Sequence, residues 1–132
     1  MNPRVLLVDD EPDFVDLMSF NLRRSGYRVR CASNGVEALV IVRRQALDAV
    51  ILDLMMPELD GYSVCETLRK TAQCHPLPIL MVTAATSQLS RLNALAVGAD
   101  DFLSKPFSAS ELLSKLSRLL ELAAGRNVRQ WA

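Results

Sequence analysis

With a single histidine, His75, and three scattered cysteines, the chain lacks the ligands of a zinc site. Such sites gather four Cys or His side chains at short spacings, and Cys74-His75 is the one place here where the two types adjoin. An odd number of cysteines, at positions 31, 65 and 74, argues against a disulfide framework and for a reducing, cytoplasmic setting. Neither sign of charge is in excess: fifteen basic residues meet fifteen acidic ones, so nothing draws this domain to nucleic acid or to a membrane surface. No apolar run approaches the roughly 20 residues of a membrane-spanning helix. Met1-Asn2-Pro3-Arg4 lacks the layout of a signal peptide.

What is present is an ordinary globular composition on a length that suits one domain, with half the residues hydrophobic. Five short apolar runs alternate with five longer segments of helical spacing. The runs are 5–8, 27–31, 48–52, 79–82 and 101–103. The second alternates and reads as an edge strand, whereas the central runs are apolar throughout, as strands covered on both faces should be.

Pro12 suits a first helical turn, with Phe14, Leu17, Met18 and Leu22 facing inward and Gly26 ending the helix. Asn34-Gly35 opens a second helix with Ala38, Leu39 and Val42 inward, and Asp60 caps a third with Val64, Cys65 and Leu68. A loop at 75–78 precedes the fourth strand. Leu89, Leu92, Leu95 and Ala96 are expected to face inward on a fourth helix stopped by Gly98. Ser108 or Ser110 starts the last helix, which carries Leu112, Leu113, Leu116, Leu119 and Leu120. The expected fold is α/β: a doubly wound five-stranded parallel sheet of (βα)5 flavodoxin-like form, strand order 2-1-3-4-5. The domain is expected over 1–124, with 125–132 a C-terminal tail or the start of a linker.

The residues that follow each run carry the chemistry. The first run delivers Asp9 and Asp10, the third Asp53, the fourth Thr83 and the fifth Lys105. Ligand sites in open α/β sheets lie beyond the carboxyl ends of the strands, so these side chains converge. Three carboxylates repel one another unless a cation intervenes, and an all-oxygen cluster suits a hard ion, Mg²⁺ before zinc. Lys105 offers a compact positive charge and Thr83 a rotatable donor, which together suit a phosphoryl group. Asp53 can serve as the nucleophile, as carboxylates do in aspartyl phosphates.

In this order and spacing, several fragments resemble the receiver domain of two-component response regulators, the family of the single-domain chemotaxis regulator. They are Val8-Asp9-Asp10-Glu11, Leu52-Asp53-Leu54-Met55-Met56-Pro57, Asp60-Gly61, Val82-Thr83-Ala84, and Gly98-Ala99-Asp100-Asp101-Phe102-Leu103-Ser104-Lys105-Pro106-Phe107. The resemblance implies that Asp53 accepts a phosphoryl group from a sensor histidine kinase or phosphotransfer protein. It implies Mg²⁺ on Asp10, Asp53 and the backbone carbonyl of Met55, with Asp9 acting partly through water. Thr83 would close on the phosphoryl oxygen, Lys105 would pair with it, the Lys105-Pro106 bond would be cis, and Phe102 would turn as the switch. A signalling domain of this kind is not a turnover enzyme.

The resemblance places the output on the surface around the fourth helix, fifth strand and fifth helix. In the DNA-binding subfamily that face dimerises through a charged lattice, and Arg91, Asp101, Glu111 and Lys115 stand at suitable positions. Ala96, Ser117 and Leu122 stand where more charge is expected, so a homodimer and a solvated helix face both stay open. Met55 and Ala85, two places after the acceptor and the threonine, cannot orient a hydrolytic water, which implies slow self-dephosphorylation over minutes to hours. The alternative is a receiver that binds partners without phosphorylation.

Overall fold

The computed structural model describes residues 2–56, 58–71, 77–84 and 87–131, with side chains described as far as residue 125. Within these, strands and helices alternate in the order β1 (Arg4–Val8), α1 (Pro12–Arg24), β2 (Arg28–Ala32), α2 (Gly35–Arg44), β3 (Ala49–Asp53), α3 (Gly61–Lys70), β4 (Ile79–Thr83), α4 (Gln88–Ala96), β5 (Asp101–Ser104) and α5 (Ala109–Trp131). All strand pairs are parallel, in the order β2-β1-β3-β4-β5, as expected. The readings at Pro57, Cys74-His75, Pro76 and Ala85 lie outside the described residues.

Each strand sends alternate residues to opposite faces, and both faces are covered. Leu6, Val8, Val50, Leu52, Ile79 and Met81 pack with α2 and α3 through Ala38, Val42, Val64, Cys65 and Leu68. Val5, Leu7, Ile51, Leu80 and Val82 pack with α1 and α5 through Met18, Leu22, Leu112, Leu116 and Leu119. Burying a side chain of this size is worth about 1.5–3 kcal/mol, so this double core is the main source of stability. Caps close the helices: Asn34 accepts from Glu37 N–H, Asp60 from Ser63 N–H, and Ser108 from Glu111 N–H. Glu111 answers by accepting from Ser108 N–H, a reciprocal capping box.

Two inward faces differ from expectation. On α4, Leu89, Leu92 and Leu95 are 67%, 56% and 46% exposed and Ala96 is exposed too; the buried residue is Ala94. The sheet takes the side of the helix that carries the small Ala94, and the more apolar leucine stripe is left facing outward. On α1 the buried row is Met18 and Leu22, with Phe14 half-buried, while Leu17 lies one step around the helix and is exposed. The α5 backbone stays helical to Trp131, so the expected boundary at 124 falls inside a helix.

A charged network ties the amino ends of β4 and β5 to α3. Arg69 donates to the Gly98 carbonyl at 2.8 Å, to the Leu77 carbonyl, and to Asp100 at 2.7 Å. Asp100 also accepts from Ile79 N–H at 2.7 Å. Gly98 adopts φ +108°, and a Cβ there would strike the Arg69 side chain.

Candidate functional site

The site is built at the carboxyl ends of β1, β3, β4 and β5. β3 is buried along its whole length and ends on Asp53, whose side chain is almost fully enclosed. Its exit turns at once: Met55 N–H donates to Asp53 Oδ1 at 3.2 Å, and Gly61 N–H donates to the Leu54 carbonyl at 2.9 Å. A Cβ on Gly61 would press on the Asp53 carbonyl and the Leu54 Cα, so only glycine lets α3 start this close to the end of β3. Glu58 takes φ +67°, a left-handed turn that the residue type did not announce.

Asp9, Asp10 and Asp53 each offer a carboxylate oxygen, and these atoms lie within 4.8 Å of one another. Asp9 is buried, and its two oxygens are divided between Glu11 N–H at 2.9 Å and the Lys105 ammonium at 2.8 Å. Lys105 Nζ also lies 3.8 Å from Asp53 and 3.4 Å from Glu11. The Lys105-Pro106 bond is cis, as the resemblance implied. Thr83 is fully buried at the end of β4, and its carbonyl accepts from Lys105 N–H at 2.8 Å. Asp10 and Met55 face the exterior, lining a cleft of about 540 Å³ with Asp60, Tyr62 and Ser90. Asp53 is thus enclosed on a strand, while Asp10 stays open toward solvent.

Electrostatics mark the cluster as unbalanced. Burial, then repulsion from Asp9, pushes the Asp53 carboxyl up to about 6, against the opposing pull of Lys105. Burial alone would lower the Lys105 ammonium, but Asp9, Asp53 and Glu11 together raise it. One ammonium against two buried carboxylates, Asp9 and Asp53, and the exposed Asp10 leaves negative charge for a cation to neutralise. An all-oxygen donor set fits a hard divalent ion such as Mg²⁺, with Asp9, Asp10 and Asp53 as the residues able to hold it.

The structure brings Asp9, Asp10, Asp53, Thr83 and Lys105 to one end of the sheet. Phe102 is buried in the core on β5 beneath them. The expected output-face charges sit elsewhere: Asp101 pairs with Lys115 at 3.1 Å, Glu111 closes its own helix cap, and Arg91 is exposed on α4. Sequence reasoning missed Phe14, whose ring lies under the Lys105 ammonium at 4.1 Å, and it missed Arg69. An aromatic in the first turn after Asp9-Asp10-Glu11-Pro12 was the available signal for the first.

Residues 5–117 match the response regulator receiver domain. The chain is 43% identical over 127 residues to the alkaline phosphatase synthesis transcriptional regulatory protein PhoP of Bacillus subtilis, covering 94% of this chain and 52% of that protein. It is 38% identical to the DNA-binding dual master transcriptional regulator RpaA of Synechocystis, covering 89% of this chain and 49% of that protein. It therefore spans about half the length of the curated relatives it matches. Among solved structures, the chemotaxis response regulator CheY4 of Vibrio cholerae superimposes with a TM-score of 0.86 at 35% identity, covering 90% of this chain and 99% of that one.

Proposed function

Because this chain belongs to the response regulator receiver domain family, we propose that Asp53 is its phosphoryl acceptor, served by Asp9, Asp10, Thr83 and Lys105. The Asp9, Asp10, Asp53 and Lys105 cluster is typical of the phosphoacceptor site of such domains, which are signalling modules and not turnover enzymes. The observation that carries the reading is the enclosed Asp53 carboxylate set between two further carboxylates and a lysine.

In the proposed reaction an Asp53 carboxylate oxygen attacks the phosphorus of a phosphohistidine on a sensor kinase or phosphotransfer protein. The phosphorus–nitrogen bond breaks, and the imidazole leaves with the bonding pair and takes a proton. Lys105 pairs with the phosphoryl oxygens, and the Thr83 hydroxyl donates to one of them. Asp10, Asp53 and the Met55 carbonyl would hold Mg²⁺, with Asp9 acting partly through water, and the ion would supply charge neutralisation for the incoming phosphoryl. Movement of Thr83 toward the phosphoryl changes the packing around Phe102, and so biases the α4-β5-α5 face between two states.

That face is the proposed output, and homodimerisation one form of it. Leu89, Leu92 and Leu95 are exposed there beside Arg91, whereas Asp101, Lys115 and Glu111 already have partners within the chain. Apolar contact is therefore the stronger candidate for joining two copies than a charge lattice, since exposed ion pairs are worth only about 0–1 kcal/mol. The Met55 side chain is 62% exposed and apolar, in keeping with slow hydrolysis of the acyl phosphate. We assign the receiver to 1–124, with 125–132 a C-terminal tail or the start of a linker, and place it in the cytoplasm. Among the described residues no helix is long and apolar enough to cross a membrane.

The test is incubation with Mg²⁺ and a small acyl phosphate, followed by intact mass. One added phosphoryl is expected, lost in Asp53→Asn and on chelation of the metal. Labelling that survives in Asp53→Asn refutes the assignment, and light scattering of the labelled sample tests the dimer.

A further inference from the structure

Lys105 faces three carboxylates at once. Its ammonium lies 2.8 Å from Asp9, 3.4 Å from Glu11 and 3.8 Å from Asp53, at the tip of a flexible four-carbon stem. Asp9 and Asp53 are buried, but the Glu11 carboxylate is exposed and can draw the ammonium outward toward water. On a further side of the ammonium stands no charge at all but the ring of Phe14, with its centroid 4.1 Å away. That ring belongs to the first turn of α1 and is half-buried. Its plane is braced at 88° by Phe107, the centroids 5.8 Å apart, and Phe107 follows Lys105 by two residues.

We propose that Phe14, held edge-to-face by Phe107, is a positioning residue that keeps the Lys105 ammonium aimed at Asp53. An aromatic face attracts a cation through its quadrupole while accepting no strong hydrogen bond. It therefore covers one side of the ammonium against water and leaves its N–H groups for the anionic side, where Asp9 and Glu11 accept and Asp53 stands 3.8 Å away. A leucine would fill most of the same space without the attraction, so packing and positioning are separable. The perpendicular Phe107 contact limits rotation of the Phe14 ring, which a lone exposed aromatic would lack.

This inference rests on Asp53 being the acceptor, and the experiment separates the two. Phenylalanines bearing one, two or three ring fluorines are placed at position 14 alone; they keep the shape of the ring while weakening its negative face step by step. The initial rate of Mg²⁺-dependent labelling by a small acyl phosphate is expected to fall with each fluorine, to about three- to tenfold below wild type at the third. Phe14→Leu should fall by a similar factor and Phe14→Tyr should stay within about twofold. Independently of activity, the Lys105 ε-methylene protons should show an upfield ring-current shift in wild type that disappears in Phe14→Leu and persists in Phe14→Tyr. A rate indifferent to fluorination, or ordinary lysine methylene shifts in the wild type, overturns the proposal. If wild type takes no phosphoryl, the acceptor reading fails instead, and the methylene shift still decides whether the ring holds the lysine.

Discussion

At the carboxyl ends of β1, β3 and β5, three carboxylates face one ammonium. At the amino ends of β4 and β5, one guanidinium faces one carboxylate. The second cluster is complete: Arg69 uses its planar fork on Asp100 and on two backbone carbonyls, and Asp100 also takes the Ile79 N–H. The first is unfinished, with a buried Asp53 pushed up to about 6 by burial and by its neighbour Asp9. Charge that is evenly matched holds a fold together; charge left in excess in an enclosed place is held ready for something that arrives.

The largest effect that could break this contrast is at the balanced end. Arg69→Ala leaves Asp100 without its cation and two carbonyls without their donor, and should cost about 2–4 kcal/mol. A lowered urea midpoint with unchanged phosphoryl uptake by the folded protein is expected. Loss of uptake in a folded Arg69→Ala protein would mean that the two ends are not separate.

The unbalanced end should respond in the opposite direction. In the metal-free protein Asp53→Asn is expected to stabilise at pH 7, with a ceiling near 3 kcal/mol from a rise of about two pK units. A carboxyl raised from its ordinary 3.8 to about 6 favours the folded state while protonated. Its contribution is complete below pH ~4 and is lost as the pH climbs through about 6. Urea unfolding at pH 5 and pH 7 in chelator should therefore show a gap for wild type that narrows in Asp53→Asn. Adding Mg²⁺ at tenfold its Kd should restore about 1.4 kcal/mol to wild type at pH 7 and far less to the variant.

The smallest effect sharpens the picture of the surface. Leu92→Gln removes an exposed leucine from α4 and should change monomer stability by less than about 0.5 kcal/mol. The urea midpoint checks this; a loss of 2 kcal/mol or more would place Leu92 in the core after all.

Much of this was legible in the chain itself, for a physical reason. Parallel strands buried on both faces must be apolar throughout, so 5–8, 49–52 and 79–82 stand out, and whatever polar residue follows each run must lie at one end of the sheet. That logic reached Asp9, Asp10, Asp53, Thr83 and Lys105 without any contact being known. It failed where a helix has two plausible faces: Leu89, Leu92 and Leu95 have helical spacing, but spacing names a stripe and not the side the sheet will take. It failed again for Arg69 and Phe14, whose partners lie 31 residues away at Asp100 and far along the chain at Lys105. A long side chain's destination is set by tertiary geometry: nothing local to Arg69 encodes it, and the place of Phe14 in the first turn after Asp9-Asp10-Glu11-Pro12 hints at the site without naming Lys105 as its partner.

The central claim is that Asp53, and no other carboxylate of the cluster, carries the phosphoryl group. Borohydride reduces an acyl phosphate to the alcohol, so labelled protein trapped in this way and digested should contain homoserine at position 53. The conversion should require Mg²⁺ and leave Asp9 and Asp10 untouched. Homoserine at position 9 or 10, or phosphoryl uptake with no reduction at 53, would contradict the account.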